Sequence, residues 1–290
     1  MIINGKEIAD DFCKIISCKV DVLKSSGIFP HIALVNASAD SASEIYISRK
    51  RKLAESLGIK STIHQLSGNN VREEDVAELL NNLNLDDSVT AILLQSPLAY
   101  GLNFRKLVDI IDPHKDADAL TSTNQGKLFT GEPCIAPCTP LGVLHLIHSV
   151  RENISGSHAV VLGRSSIVGK PMAQLLLNKN CSVTTLHSHS RNIQDICATA
   201  DIIVSAIGKP RYVQKHFVKP GAIVIDVGIN RIEIDGARKI VGDVDFHPVS
   251  EVAAAISPVP NGVGPMTVAY LMYNTMLLAR GNEDCQIGFM

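Results

Sequence analysis

The stretch that most constrains this chain is His158-Ala-Val-Val-Leu-Gly-Arg-Ser-Ser-Ile-Val-Gly-Lys-Pro171. Ala159 to Leu162 is an uninterrupted apolar run, the pattern of a buried strand. Gly163 ends it, and a short polar loop leads to Gly169 and Pro171. Met172-Ala-Gln-Leu-Leu-Leu177 then reads as a helix, with the proline in its first turn, where no N–H is missed. Strand, glycine turn and helix N-terminus together bind a pyrophosphate, because free backbone N–H groups and the positive end of the helix dipole face the anion. An ordinary strand-to-helix turn has the same outline, and Ser165 stands where the middle glycine of the common dinucleotide fingerprint would be. Arg164 favours the cofactor reading, since a cation just past the strand end suits the 2′-phosphate of NADP. The next strand, Cys181 to Leu186, runs into His187-Ser-His-Ser190 and Arg191, with no acid placed to bind a ribose diol.

Elsewhere the pattern alternates. His31 to Val35, Lys60 to Leu66 and Val89 to Leu94 read as strands, as do 158–163, 182–186, 201–205 and 222–226. Helical stripes lie between them. The first is Ile8, Phe12, Ile15, Ile16 and Leu23, closed by Gly27; another is Val76, Leu79, Leu80 and Leu83. A helix ends over Leu107 to Ile111, Thr139 is the expected N-cap of Leu141 to Val150, and Thr267 to Arg280 forms the last helix. Such alternation implies mostly parallel sheets, with ligands at the carboxyl ends of the strands. A polar turn is expected over Asn36 to Ser41, a hinge at Pro137-Cys-Thr-Pro140, and a fraying tail after Gly281.

Composition narrows the partners. A chain of 290 residues, 46% apolar, can bury the cores of two modest α/β domains. A net charge of −2 offers no field for nucleic acid or an anionic membrane. No run approaches the roughly 18 apolar residues of a membrane span, and the first residues lack the basic and apolar regions of a signal peptide. The seven cysteines form no disulfide framework, and Cys134 and Cys138 have no second pair at zinc spacing. The expectation is therefore no metal, no nucleic acid, no membrane, and a cytoplasmic protein.

A second chemical feature is a lysine. Ser43, Tyr46, Lys50, Leu53 and Leu57 follow in steps of three and four, which puts them on one helix face. If Leu53 and Leu57 anchor that face, Tyr46 and Lys50 turn toward the interior or a cleft. An ammonium there needs solvation or a partner; the alternative is a lysine snorkelling outward among Arg49, Arg51 and Lys52. Gln95 ends an apolar strand, where a ligand contact or a simple strand cap would both fit. Pro113 to Ala119 is a loop with two carboxylates, and charged loops are ordinarily solvated. In the second half Ala206-Ile-Gly208 and Gly221 to Gly228 close strands with small residues, which lets backbone approach a cofactor.

These motifs occur in one order: Ser43-Glu-Ile-Tyr46 with Lys50, Gln95-Ser-Pro-Leu98, Lys115-Asp-Ala-Asp118, Pro137-Cys-Thr-Pro140, the Gly163–Pro171 loop, Gly221 to Gly228, Gly242-Asp-Val-Asp245, and Pro258-Val-Pro-Asn-Gly-Val-Gly-Pro-Met-Thr267. In this the chain resembles the bifunctional methylenetetrahydrofolate dehydrogenase/methenyltetrahydrofolate cyclohydrolase family over nearly its whole length. The resemblance implies a folate-binding catalytic domain (1–138 plus 267–290), a Rossmann-like NADP-binding domain (139–266), and a cleft between them. It implies tetrahydrofolate substrates, NADP as cofactor and a homodimer. Lys50, Tyr46 and Gln95 would be catalytic, and Ser43, Tyr46, Asp118, Pro260 and Gly262 would bind folate, Asp118 through the paired donors of the pterin. Thr139, Gly163, Arg164, Ser165, Ile167, Val168, Gly169, Ser188, Ala206, Gly208, Gly228 and Ile229 would bind the cofactor. Desolvation and the cationic methenyl intermediate would favour the neutral amine that Lys50 needs in order to act as a base.

The chain departs from the family pattern at Ser96, Ala119, Ser257, Asn261 and His189. If residue 119 needs a positive φ, its alanine costs about 1 kcal/mol; asparagine at 261 suits left-handed backbone better than other non-glycine residues. Monofunctional or non-catalytic folate binding are the alternatives the departures leave open.

Overall fold

A computed structural model describes residues 1–38, 41–66, 71–234 and 237–281. The tail after Gly281 and part of the Asn36–Ser41 turn lie outside the described residues. The described residues divide into two compact units, one of Asp11–Ala136 with 271–281, the other of Met1–Asp10 with Pro137–Tyr270.

In the first unit, β1 (His31–Asn36), β2 (Lys60–Gln65) and β3 (Ala91–Gln95) form a parallel sheet in the order β2-β1-β3. β1 is central and buried at every position, whereas β2 alternates as an edge strand does. Helices α1 (Gly5–Ser25), α2 (Ser41–Ser56), α3 (Glu73–Leu85), α4 (Phe104–Val108) and α5 (Ser122–Thr130) accompany it. One core side joins Ala33, Val35, Val76, Leu80, Ile92 and Leu107. The α1 stripe is Ala9, Phe12, Ile16 and Val20; Ile15, expected within it, is 44% exposed. Gly27, at φ +79°, closes α1 as expected. α4 ends at Val108, so Ile110 and Ile111 follow the helix instead of ending it.

The second unit begins with α6 (Cys138–His148). Its N-cap is Pro137 and Thr139 lies inside the helix, which corrects the expected Thr139 cap. β4 (His158–Leu162), α7 (Gly169–Asn178), β5 (Ser182–Leu186), α8 (Ile193–Cys197), β6 (Ile202–Ser205) and β7 (Ile223–Asp226) follow. An antiparallel hairpin, β8 (Asn230–Ile234) and β9 (Ala237–Val241), was not legible in the periodicity. Then come α9 (Phe246–Ser250), β10 (Ala255–Ile256) and α10 (Val263–Arg280), which starts four residues before the expected Thr267. The sheet is all parallel in the order β10-β7-β6-β4-β5. Because β5 lies on one side of β4 and β6 on the other, the order reverses between β4 and β6. Dinucleotides bind outside the carboxyl ends of strands at such a reversal.

Candidate active site

The α2 lysine is where the spacing put it. The buried stripe is Ser43, Ile47, Ala54 and Leu57, with Lys50 half-buried in the same line. Ile47 and Ala54 anchor this face more fully than the expected Leu53, which is half-buried. Tyr46 flanks the stripe and is 36% exposed, while Ser43, three residues earlier, is 2% exposed. Lys50 Nζ donates to Gln95 Oε1 at 2.7 Å. Gln95 is the last residue of β3, so the carboxyl end of the sheet brings together two side chains 45 residues apart in sequence.

The row of strand ends holds a residue that the sequence did not flag. Asn36 ends β1 in register with Gln65 on one side and Gln95 on the other. Its Nδ2 donates to Gln65 Oε1 at 2.9 Å, and Gln65 Nε2 donates to Ser38 O at 3.2 Å. Three amides therefore line the end of the sheet.

The Lys115-Asp-Ala-Asp118 loop is not merely solvated. Ile92 N donates to Lys115 O and Ala117 N to Ile92 O, so the loop pairs with the outer edge of β3. Beyond this bridge the chain turns, with Ala119 N donating to Asp116 O at 3.2 Å, and Asp118 within that turn is half-buried. Asp116 is the buried member, 1% exposed. It accepts from Thr121 N at 2.8 Å and Asn124 Nδ2 at 3.0 Å. Burial pushes its carboxyl up, and these donors pull against that shift. From α10, Asn274 Nδ2 donates to Ala117 O at 3.0 Å. Ala119 sits at φ +52° and is fully buried. The condition attached to its alanine is thus met.

Pro260 and Gly262 belong to the other unit, in the Pro258–Thr267 segment. Asn261 is left-handed at φ +74°, and its carbonyl accepts from Lys6 N at 3.1 Å. Gly262 is buried, and a Cβ there would lie 2.3 Å from Pro258 O. Thr139 Oγ1 lies 3.1 Å from Thr267 Oγ1, which ties the start of α6 to α10.

At the sheet reversal, Gly163 has φ +116°, and a Cβ on it would lie 2.3 Å from Ala206 O. A Cβ on Gly169 would lie 2.3 Å from Gly163 O. Both glycines are therefore needed for contact between the chain's own backbone segments, ahead of any ligand. The expectation of free N–H groups at the start of α7 needs correcting. Ser165 Oγ accepts from Val168 N at 3.2 Å and Gly169 N at 3.3 Å, and Lys170 N donates to Ser165 O at 3.0 Å. The serine in the middle-glycine position thus caps the turn itself. Arg164, Ser165 and Ile167 are exposed beside it and Val168 is half-buried. Ser188 is exposed beyond β5. His187 is held below the ordinary histidine range, first by loss of solvent and then by the charges of Arg164 and His189. Arg164, after β4, and His187 and His189, after β5, therefore lie close enough to feel one another.

Two buried aspartates complete the unit. Asp243, fully buried, accepts from Ile207, Gly208 and Lys209 N–H; Asp226, 3% exposed, accepts from Gly228, Asp243 and Val244 N–H. Burial pushes the Asp226 carboxyl up to about 7, its N–H donors oppose that rise, and the charge of Asp243 adds to it. Neither was singled out from the sequence, although an aspartate closing an apolar run, as Asp226 does, is a signal for a buried and partnered carboxylate. Gly228 is buried and Ile229 is 54% exposed beside it. Among the described residues no group of three or more His, Cys, Asp or Glu could hold a metal ion, and no helix is long and apolar enough to cross a membrane.

Comparison with known proteins gives the family. Residues 3–118 match the tetrahydrofolate dehydrogenase/cyclohydrolase catalytic domain, and 137–283 match the NAD(P)-binding domain of the same family. A bifunctional protein FolD of Ehrlichia ruminantium (strain Welgevonden) is 48% identical over 292 residues, covering 100% of this chain and 97% of the relative. The crystal structure of the bifunctional FolD enzyme from Campylobacter jejuni has a TM-score of 0.93 at 39% identity, covering 97% of this chain and 98% of that one. The Trypanosoma brucei FolD complexed with NADP cofactor and inhibitor has a TM-score of 0.91 at 34% identity, covering 97% of each chain. On fold, motif order and full-length likeness, this chain belongs to the tetrahydrofolate dehydrogenase/cyclohydrolase family.

Proposed function

We infer that this chain oxidises 5,10-methylenetetrahydrofolate with NADP and then hydrolyses 5,10-methenyltetrahydrofolate to 10-formyltetrahydrofolate. The observation that carries the reading is the 2.7 Å Lys50–Gln95 pair at the carboxyl end of a parallel sheet, inside the segment that matches the family's catalytic domain.

Bound NADP supplies the hydride acceptor. The chain's residues bind, orient and move protons. Tyr46, beside Lys50 and partly exposed, offers a ring face to the pterin. Asp118 offers two parallel acceptors to the pterin 2-amino and N3–H groups. Ser43, buried in the first turn of α2, lies on the folate side, and Pro260 with Gly262 shapes the folate site from the Pro258–Thr267 segment. In the hydrolytic step a neutral Lys50 keeps one N–H on Gln95 Oε1 and turns its lone pair to water. The water oxygen bonds to the methenyl carbon as its proton passes to Nζ. The new hydroxyl then loses its remaining proton to solvent as the formyl C=O forms and the C–N5 bond breaks, N5 takes back the proton held on Nζ, and the formyl group stays on N10.

The cofactor residues fit NADP. Arg164 and Ser188, with His187 and His189 nearby, suit the 2′-phosphate. Thr139, Ser165, Ile167, Val168 and Gly169 border the dinucleotide on the β4 side, and Ala206, Gly208, Gly228 and Ile229 on the β6 and β7 side. The domain assignment follows the same lines: folate on residues 1–138 with 267–290, NADP on 139–266. We also assign the enzyme to the cytoplasm as a homodimer paired through β5, an edge strand. A monomer in sedimentation would remove the dimer, and fractionation with a membrane would remove the location. The decisive test follows oxidation and ring opening separately, with NADP and with NAD. Turnover of both half-reactions with NADP preferred is expected; absence of either would overturn the bifunctional reading.

A further inference from the structure

We propose that Asp243 is a positioning residue for the dinucleotide. Its carboxylate sets the backbone of Ile207 to Lys209 so that the loop presents carbonyl acceptors to a hydrogen-bond donor of the cofactor, a ribose hydroxyl or the carboxamide. The inference rests on the NADP reading above.

Three consecutive N–H groups converge on this one side chain. Asp243 Oδ2 accepts from Ile207 N at 2.8 Å and Gly208 N at 3.1 Å, and Oδ1 accepts from Lys209 N at 2.9 Å. Asn230 Nδ2 also donates to Oδ1 at 2.9 Å, and Ser205 Oγ to Oδ2 at 3.3 Å. In a trans peptide the C=O of one residue points opposite to the N–H of the next. With the N–H groups of residues 207–209 drawn onto Asp243, the carbonyls of Ala206, Ile207 and Gly208 face away from it. The Ala206 carbonyl faces Gly163, as the clearance there shows. The Ala206 carbonyl thus packs against the glycine turn, and the Ile207 and Gly208 carbonyls are left on the side of the loop away from Asp243. Ser165, by contrast, has taken up N–H donors at the start of α7.

Asp226 holds Asp243 in turn. Its Oδ1 accepts from Gly228 N and Asp243 N, each at 2.9 Å, and its Oδ2 accepts from Val244 N at 2.8 Å. Two glycines make room for this nesting. A Cβ on Gly228 would lie 2.2 Å from Asp243 Oδ1, and one on Gly242 would lie 1.8 Å from Asp226 Oδ2. The Gly242-Asp-Val-Asp245 motif and the Asp226-Val-Gly228 motif are thus two halves of one device at the ends of β6 and β7.

Asp243→Asn keeps the side-chain shape but turns an amide N–H toward backbone N–H groups. NADP Kd measured by calorimetric titration is expected to rise about tenfold, with KM for NADP following it and kcat at saturating NADP within about threefold of wild type. A merely structural role would lower kcat together with the KM split, so an unchanged Kd, or a loss confined to kcat, overturns the proposal. If Asp243→Asn does not fold, Asn230→Ala removes one donor and leaves the carboxylate. It is expected to weaken NADP about threefold, and no change overturns the proposal. The acetylpyridine analogue of NADP lacks the carboxamide N–H. A variant-to-wild-type ratio that collapses with it assigns the donor to the carboxamide; a ratio that persists assigns it to a ribose hydroxyl. Wild-type protein that binds no NADP would sink the cofactor reading itself, and so the two failures are distinguishable.

Discussion

The two loops held by buried carboxylates make an instructive contrast. In the three-stranded unit Asp116 clamps Thr121 and Asn124, five and eight residues away, and the group proposed to bind folate from this loop is a side chain, Asp118. In the five-stranded unit Asp243 clamps Ile207 to Lys209 from at least 34 residues away, and what the loop offers is backbone. Around the first loop the proposed catalysts are also side chains on regular elements, Lys50 on α2 and Gln95 on β3. Around the second, glycines matter because other backbone passes close to them. A side-chain site tolerates backbone substitutions and fails when a functional group is removed. A backbone site fails when a methyl group is added.

The largest effect that would test this contrast is chemical. Lys50→Met should lower cyclohydrolase turnover by about a thousandfold while NADP Kd stays within about twofold. Stopped-flow assay of methenyl decay checks it, and an active variant would remove the side-chain half of the contrast.

Next comes the added methyl group. Gly163→Ala should destabilise by about 3 kcal/mol, because its Cβ would meet Ala206 O at 2.3 Å on a φ of +116°. Urea titration measures the loss. A variant of wild-type stability would show that the loop gives way easily.

A pH series probes the buried Asp226 of the cofactor unit. The Asp226 carboxyl titrates at about 7 when folded and near 3.9 when unfolded. Between those values the folded state holds the extra proton. The stability that this group contributes is therefore fully present below about pH 4 and is lost as pH rises through about 7. Asp226→Asn should flatten that slope relative to wild type in urea titrations from pH 4.5 to about 8. Parallel curves would mean the carboxylate stays ionised throughout.

The smallest effect reverses the glycine test. Ala119→Gly relieves a left-handed alanine, worth roughly 1–2 kcal/mol, but gives up a buried methyl worth about 0.8 kcal/mol. A net gain of about 0.5 kcal/mol is expected, read as a small rise in Tm. A fall would mean that the methyl's packing outweighs the strain.

Much of this was legible before any coordinates. The Ala159–Leu162 run, the alternation of strands and helices, and the step from Tyr46 to Lys50 each depend on residues near in sequence, so local periodicity reveals them. The errors share a cause. Thr139 looked like a cap because it precedes an apolar run, but the helix starts earlier, with Pro137 as N-cap. Ser165 stands where the middle glycine of the common fingerprint would be, and its hydroxyl accepts from two N–H groups of the turn, a contact that spacing does not reveal. Ile15 fits a stripe by spacing, yet the burial of Ala9 and Val20 rotates the buried face away from it.

What the sequence determined by itself was the α/β class, the position of the cofactor turn and the face that Lys50 occupies, because periods of two and 3.6 residues are set by backbone geometry alone. Only the tertiary structure decided which carboxylates are buried and which loops they hold. Asp116 sits in a loop that reads as solvated and takes donors from five and eight residues on, whereas Asp226, ending β7, and Asp243 take backbone N–H groups from up to 18 and 36 residues away. A buried charge is stable only where such donors converge, and convergence over tens of residues is a property of the packed sheet.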